Sequence, residues 1–202
     1  MVDVFRLYIS AANDLEPERD LLGRIVTEIP TTLGWRIVQT PHVGESLNIE
    51  AIIHSDVHIL LLGSDIRAPI GFEWLMARRA QRISHLFLKR NTPRTLAAQA
   101  FVREIQTLTN WRLFSDISDL RHQVLILITD HIINHPRYYE LKENELLKLK
   151  TFRDELQSAE KEPVEETRGG AGDSSVILSL ERFTPSEGVL LKHSNQAKMS
   201  ES

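Results

Sequence analysis

The 202-residue chain contains no cysteine. Disulfides, thiolate metal sites and a cysteine nucleophile are therefore excluded. It contains no long hydrophobic run of the kind that spans a bilayer. Its start, MVDVFRLYIS, lacks a basic segment followed by an apolar stretch, so no signal peptide is expected there. A cytoplasmic location with no membrane partner is the simplest expectation. A surplus of positive charge is also missing. Residues 151–202 hold 6 Lys/Arg against 10 Asp/Glu, whereas residues 1–150 hold 18 of each. The part rich in apolar residues is thus electrically neutral and offers no basic footprint for nucleic acid. No G-x-x-x-x-G-K-[ST] loop occurs, which removes a P-loop ATPase.

What is present alternates. Val4 to Ile9 is β-branched and aromatic, and Ser10-Ala11-Ala12-Asn13-Asp14 breaks it. Leu15, Arg19, Leu22, Val26 and Ile29 then recur at helical spacing, with Asn13 or Asp14 available as the cap. Strands are predicted at Trp35–Gln39, Val57–Leu62, His85–Leu88 and Trp111–Phe114. Helices are predicted at Leu47–Ser55, Phe72–Arg82, Leu96–Leu108 and from about Ser118 to Asn134. The segment Val124–Ile128 has strand-like composition, but Leu120, Val124, Leu127 and His131 share a helical face. Alternating strands and helices predict a flavodoxin-like three-layer sandwich with a parallel five-stranded sheet in order 2-1-3-4-5. This domain is expected over residues 1–136. A charged helix is expected over 137–157, projecting from the domain or pairing with a partner. A largely disordered acidic tail is expected over 158–202, carrying the isolated apolar segment Val176–Leu180.

In open parallel sheets ligands sit beyond the carboxyl ends of strands where the strand order reverses. Here that lies between strands one and three. The expected binding residues are Ser10, Asn13 and Asp14 on the first loop and Gly63, Ser64 and Arg67 on the second. The helix that follows the second loop favours a phosphate-bearing ligand.

Three segments resemble a known family. Tyr8-Ile9-Ser10 with Asp14-Leu15 and Glu18-Arg19 resembles the opening F-I-S-S-T-x-x-D-L-x-x-E-R of an uncharacterised TIR-like domain family. Ser55-Asp56-Val57 leading to Leu61-Leu62-Gly63 resembles its third strand, and Phe72-Glu73-Trp74 with Ala77 resembles the helix after it. The resemblance covers about Val4 to Asn134. That family is similar to nucleoside 2-deoxyribosyltransferases and TIR domains. The resemblance implies an intracellular signalling or defence domain in which Glu73 is the catalytic carboxylate, stabilising a ribosyl cation as the base leaves. NAD or a nucleotide would be its substrate, with no cofactor and no metal. A protein partner or self-association is also implied, and the alternative is a non-catalytic assembly module. Two hydroxyls of the family pattern are absent here, since Ala11 and Ala12 stand in their places. Its R-Y-G segment is replaced by Ser64-Asp65-Ile66-Arg67.

Each candidate also has a plainer reading. Glu73 near a helix start is favoured by the helix dipole. Asp14 is a helix cap. Arg19, on the face of Leu15 and Leu22, suits a buried ion pair, and Asp56 suits a structural role away from the site. His131 and His135 have metal-ligand spacing but no third ligand. Ser10 lacks a nucleophile-elbow context. A receiver-like phosphoacceptor would need an acidic cluster after the first strand, and Ser10-Ala11-Ala12 supplies none.

Overall fold

The computed structural model describes residues 4–42 and 44–159. All of these lie in one compact unit. The tail expected over 158–202, apart from its first two residues, and the Val176–Leu180 segment lie outside the described residues.

Five parallel strands form one sheet: β1 (Val4–Ala11), β2 (Gly34–Gln39), β3 (Val57–Leu62), β4 (Ser84–Lys89) and β5 (Trp111–Phe114). Their order is β2-β1-β3-β4-β5, the flavodoxin-like arrangement. The central strand β3 is buried at all six positions, as a strand covered on both faces must be. On one face lie α1 (Glu16–Ile25), α5 (Ile117–Asn134) and α6 (Glu143–Ala159), packed on Phe5, Leu7, Ile9, Ile59 and Leu61. On the other lie α2 (Ile49–Ile53), α3 (Ala68–Arg79) and α4 (Leu96–Gln106), packed on Tyr8, Leu60, Leu62, Leu86 and Leu88. Among the described residues no helix is long and apolar enough to cross a membrane.

The strand-like stretch Val124–Ile128 is helical. The Asp116 side chain fixes the start of α5 by accepting the N–H groups of Ser118 (2.8 Å) and Asp119 (3.0 Å).

Three expectations change. First, α3 begins at Ala68 rather than Phe72. Pro69 lies in its first turn, where the missing N–H costs nothing, so it starts the helix instead of preceding it. Glu73 therefore sits in the second turn, and the dipole of the first turn no longer accounts for it. Second, neither Asn13 nor Asp14 caps α1. Both are wound into a 3-10 turn, Asn13–Leu15, and the Asp14 carboxylate reaches across to the loop after β3. Third, α6 does not project. It lies against α5, with Leu149 wholly buried and Phe152 and Leu156 packed on the same core. Glu145 near its start accepts hydrogen bonds from the Thr31 hydroxyl (2.8 Å) and the Thr32 N–H (2.6 Å). The compact unit thus continues past residue 136.

Candidate functional site at the strand ends

The carboxyl ends of β1 and β2 and the start of α3 enclose a cavity of about 270 Å³. Ala11, Ala12 and Thr40 line it from the ends of β1 and β2, Arg67, Pro69 and Ile70 from the start of α3 and the residue before it, and His42 and Glu45 from the loop after β2. A larger cavity, about 390 Å³, lies between β1, β2 and α2 against Arg6, Arg36 and His54. It is away from the strand ends and touches none of the expected site residues. The strand-end cavity is the candidate because it lies at the carboxyl end of β1 with the Glu73 carboxyl beneath it, but it opens between β1 and β2 rather than between β1 and β3, where the site was expected, and Arg67 reaches it from the loop after β3.

Glu73 does not line that cavity. Its side chain is 0 % exposed and points down onto the sheet. Tyr8 donates its hydroxyl to Oε1 (2.8 Å), Thr40 donates its hydroxyl to Oε2 (2.8 Å), and Ser10 is a further hydroxyl partner. Thr40 in turn accepts the Ala11 N–H (3.1 Å). These donors all come from sheet positions that face α3: Tyr8 and Ser10 alternate on β1, and Thr40 follows β2 beside Ser10. Burial raises the Glu73 pKa above the ordinary carboxylate value, and the three hydroxyls act against that rise. Burial, and after it the Glu73 carboxyl, push the Tyr8 phenol upward, so Tyr8 stays a donor.

The other expected residues divide into two groups. Asn13 and Arg67 are exposed, and both line the cavity. Arg67 is the residue before α3, and among the described residues it has no acidic partner. Asp14, Gly63 and Ser64 instead knit two loops together. Asp14 Oδ2 accepts both the N–H and the hydroxyl of Ser64 at 2.7 Å. Gly63 lies so close beneath this clasp that a Cβ there would be 2.4 Å from Asp14 Oδ2. From the far side, Thr95 donates to Asp65 (2.7 Å) and to the Ser64 carbonyl (2.9 Å). These residues fix the shape of the loop and do not line the cavity. Glu18 and Arg19, although adjacent, have separate partners. Glu18 pairs with Lys89 at 2.6 Å and Arg19 with Glu16 at 3.1 Å. Asp56 accepts the Arg6 N–H (2.7 Å) and the Tyr138 hydroxyl (3.1 Å), at the opposite end of the sheet. Among the described residues no cluster of His, Asp or Glu could hold a metal ion.

Sequence reading did not single out Thr40, His58 or Ser84, and it gave Tyr8 no role beyond opening the matched segment. His58 is 0 % exposed in the middle of β3's apolar run. Its Nε2 is 2.9 Å from Ser10 Oγ and its Nδ1 is 2.7 Å from Ser84 Oγ. The available signal was a titratable side chain inside a strand that is otherwise wholly apolar. No protein-family model, no curated protein and no solved structure matches the chain.

Proposed function

We propose that the chain is a TIR-like signalling or defence module that binds a nucleotide-like ligand, with NAD or a nucleoside as the candidate, in the strand-end cavity. Thr40 carries this reading. It lines the cavity, and its hydroxyl holds Glu73, the carboxyl group that the resemblance makes catalytic. A cavity of about 270 Å³ lies just under the range of roughly 300–1,000 Å³ for small-molecule sites. It suits a ribosyl or base moiety, with the remainder of a larger ligand running over Asn13 and Arg67. A carboxylate beneath the floor favours a ligand that carries or develops positive charge, such as nicotinamide or a ribosyl cation.

Cleavage of the N-glycosidic bond in this reading requires Thr40 to swing aside, because Glu73 is sealed in the state described. That sealing, together with the alanine floor, favours a second reading, in which the module binds and assembles without cleaving.

Thermal unfolding of the full chain with and without NAD or each of a nucleoside panel tests binding, and chromatography of the same samples tests cleavage. Binding is expected to raise the Tm by a few degrees at saturating ligand, and Thr40→Val is expected to abolish the rise. An unchanged Tm across the whole panel refutes the ligand reading. Loss of NAD that stops in Glu73→Gln assigns cleavage, and bound but intact NAD assigns the non-catalytic module.

A further inference from the structure

His58 and Ser84 have no contact with the cavity, yet they extend the hydrogen bonds around Glu73 across the sheet. Tyr8, His58 and Ser84 are register neighbours on β1, β3 and β4, so their side chains leave the same face of the sheet. The His58 imidazole is wholly buried, and burial pushes its pKa down to about 3, with His85 nearby acting in the same direction. It is therefore neutral, with one N–H and one lone pair to share between Ser10 and Ser84.

Two arrangements are open to it. In one, Ser84 donates to Nδ1, Nε2–H donates to Ser10 Oγ, and the Ser10 hydroxyl is left to donate to Glu73. In the other, Nδ1–H donates to Ser84, Ser10 donates to Nε2, and Glu73 keeps two donors, Tyr8 and Thr40. Among the described residues no Lys or Arg pairs with Glu73, and α2 presents the apolar Ile52 to this core. Hydroxyl donors from Tyr8, Ser10 and Thr40 are thus the groups that can hold charge on the buried carboxyl, and the third of them matters.

We propose that Ser84 and His58 are positioning residues that turn the Ser10 hydroxyl onto Glu73 and so give the buried carboxyl a third hydroxyl donor beneath the cavity. This deepens the reading of Glu73 as the working carboxylate of the site. It is tested with the cavity empty, so a failed relay leaves the ligand reading untouched, and a failed ligand reading leaves the relay untouched.

The direct observable is the titration of the Glu73 carboxyl carbon in full-length protein labelled with ¹³C-glutamate, its resonance assigned by its loss in Glu73→Gln. Ser10→Ala is expected to move the Glu73 midpoint up by about 1 pH unit, the worth of one good donor to a carboxylate. His58→Leu is expected to do the same although it touches neither Glu73 nor the cavity. His58→Gln, which keeps an N–H directed at Ser10, is expected to restore the midpoint. An unmoved midpoint in Ser10→Ala, or in a folded His58→Leu, overturns the proposal. If His58→Leu does not fold, Ser84→Ala decides: a rise of roughly half a unit supports the relay, and an unchanged midpoint overturns it.

Discussion

Lowering the pH from 7 to 4 is expected to cost the native protein about 3 kcal/mol through His58 alone. The sign follows from where the proton goes. In the folded chain the His58 pKa is depressed to about 3, against 6.5 for the ordinary imidazole. Its stabilising contribution is therefore fully present above pH 6.5 and is lost as the pH falls, because the unfolded chain takes up a proton that the folded chain refuses. His85 and His131, both depressed to about 4 chiefly by burial, act in the same direction. Urea unfolding at a series of pH values checks this. His58→Gln has no titrating group at that position, so its stability should fall less steeply between pH 6.5 and 4. Equal slopes in the two proteins would mean that His58 is protonated in the fold, which the apolar surroundings of β3 forbid.

Glu73→Ala is expected to destabilise the protein by about 2–4 kcal/mol. The substitution strands the hydroxyls of Tyr8, Thr40 and Ser10 against one another and opens a void under α3. Glu73→Gln keeps the volume and, since hydroxyls can donate or accept, is expected to stay within about 1 kcal/mol of the native protein. Both glutamate variants also lose a pH dependence that the native protein has, opposite in sign to that of His58. Burial raises the folded pKa of Glu73 above its unfolded value. Its contribution is thus fully present below the unfolded pKa and is lost as the pH rises through the folded one. Comparing native protein with Glu73→Gln at pH 4 and at pH 8 cancels the common histidines. The balance should shift toward the glutamine variant at the higher pH.

Sheet order and strand positions could be read directly, because a strand buried on both faces must be an apolar run between turns. Val57–Leu62 is the plainest case. Glu73 was picked out through the family resemblance alone, and its surroundings could not be read. The partners of a buried carboxyl depend on which side chains of three strands face the same helix, and that is a matter of register. Tyr8 looks like ordinary strand filling, and Thr40 like the first residue of a loop. His58 was hidden by the apolar run around it. The expected start of α3 at Phe72 falls four residues late, because a proline in a first helical turn, here Pro69, is compatible with the helix. The docking of α6 was missed because its composition is charged and its buried stripe is narrow. Leu149 is wholly buried, whereas Leu147, two positions earlier, is 65 % exposed.

The residues Asp14, Gly63 and Ser64 carry a related lesson. They were expected around a ligand because topology puts their loops at the strand ends. The structure uses them to lock those loops to each other, and leaves Asn13, Arg67 and Thr40 at the cavity. A position beside a site and a contact within it are separated here by one residue on the first loop and by three on the second.

A nucleotide-like ligand is expected to enter above Thr40, over a buried Glu73. Backbone amide NMR of the full chain during titration with NAD tests it most directly. The amides of Ala11, Ala12, Thr40, Arg67 and Ile70 are expected to shift together along one saturating curve. No shifts at saturating NAD, or shifts confined to the cavity beside Arg6, Arg36 and His54, would contradict it.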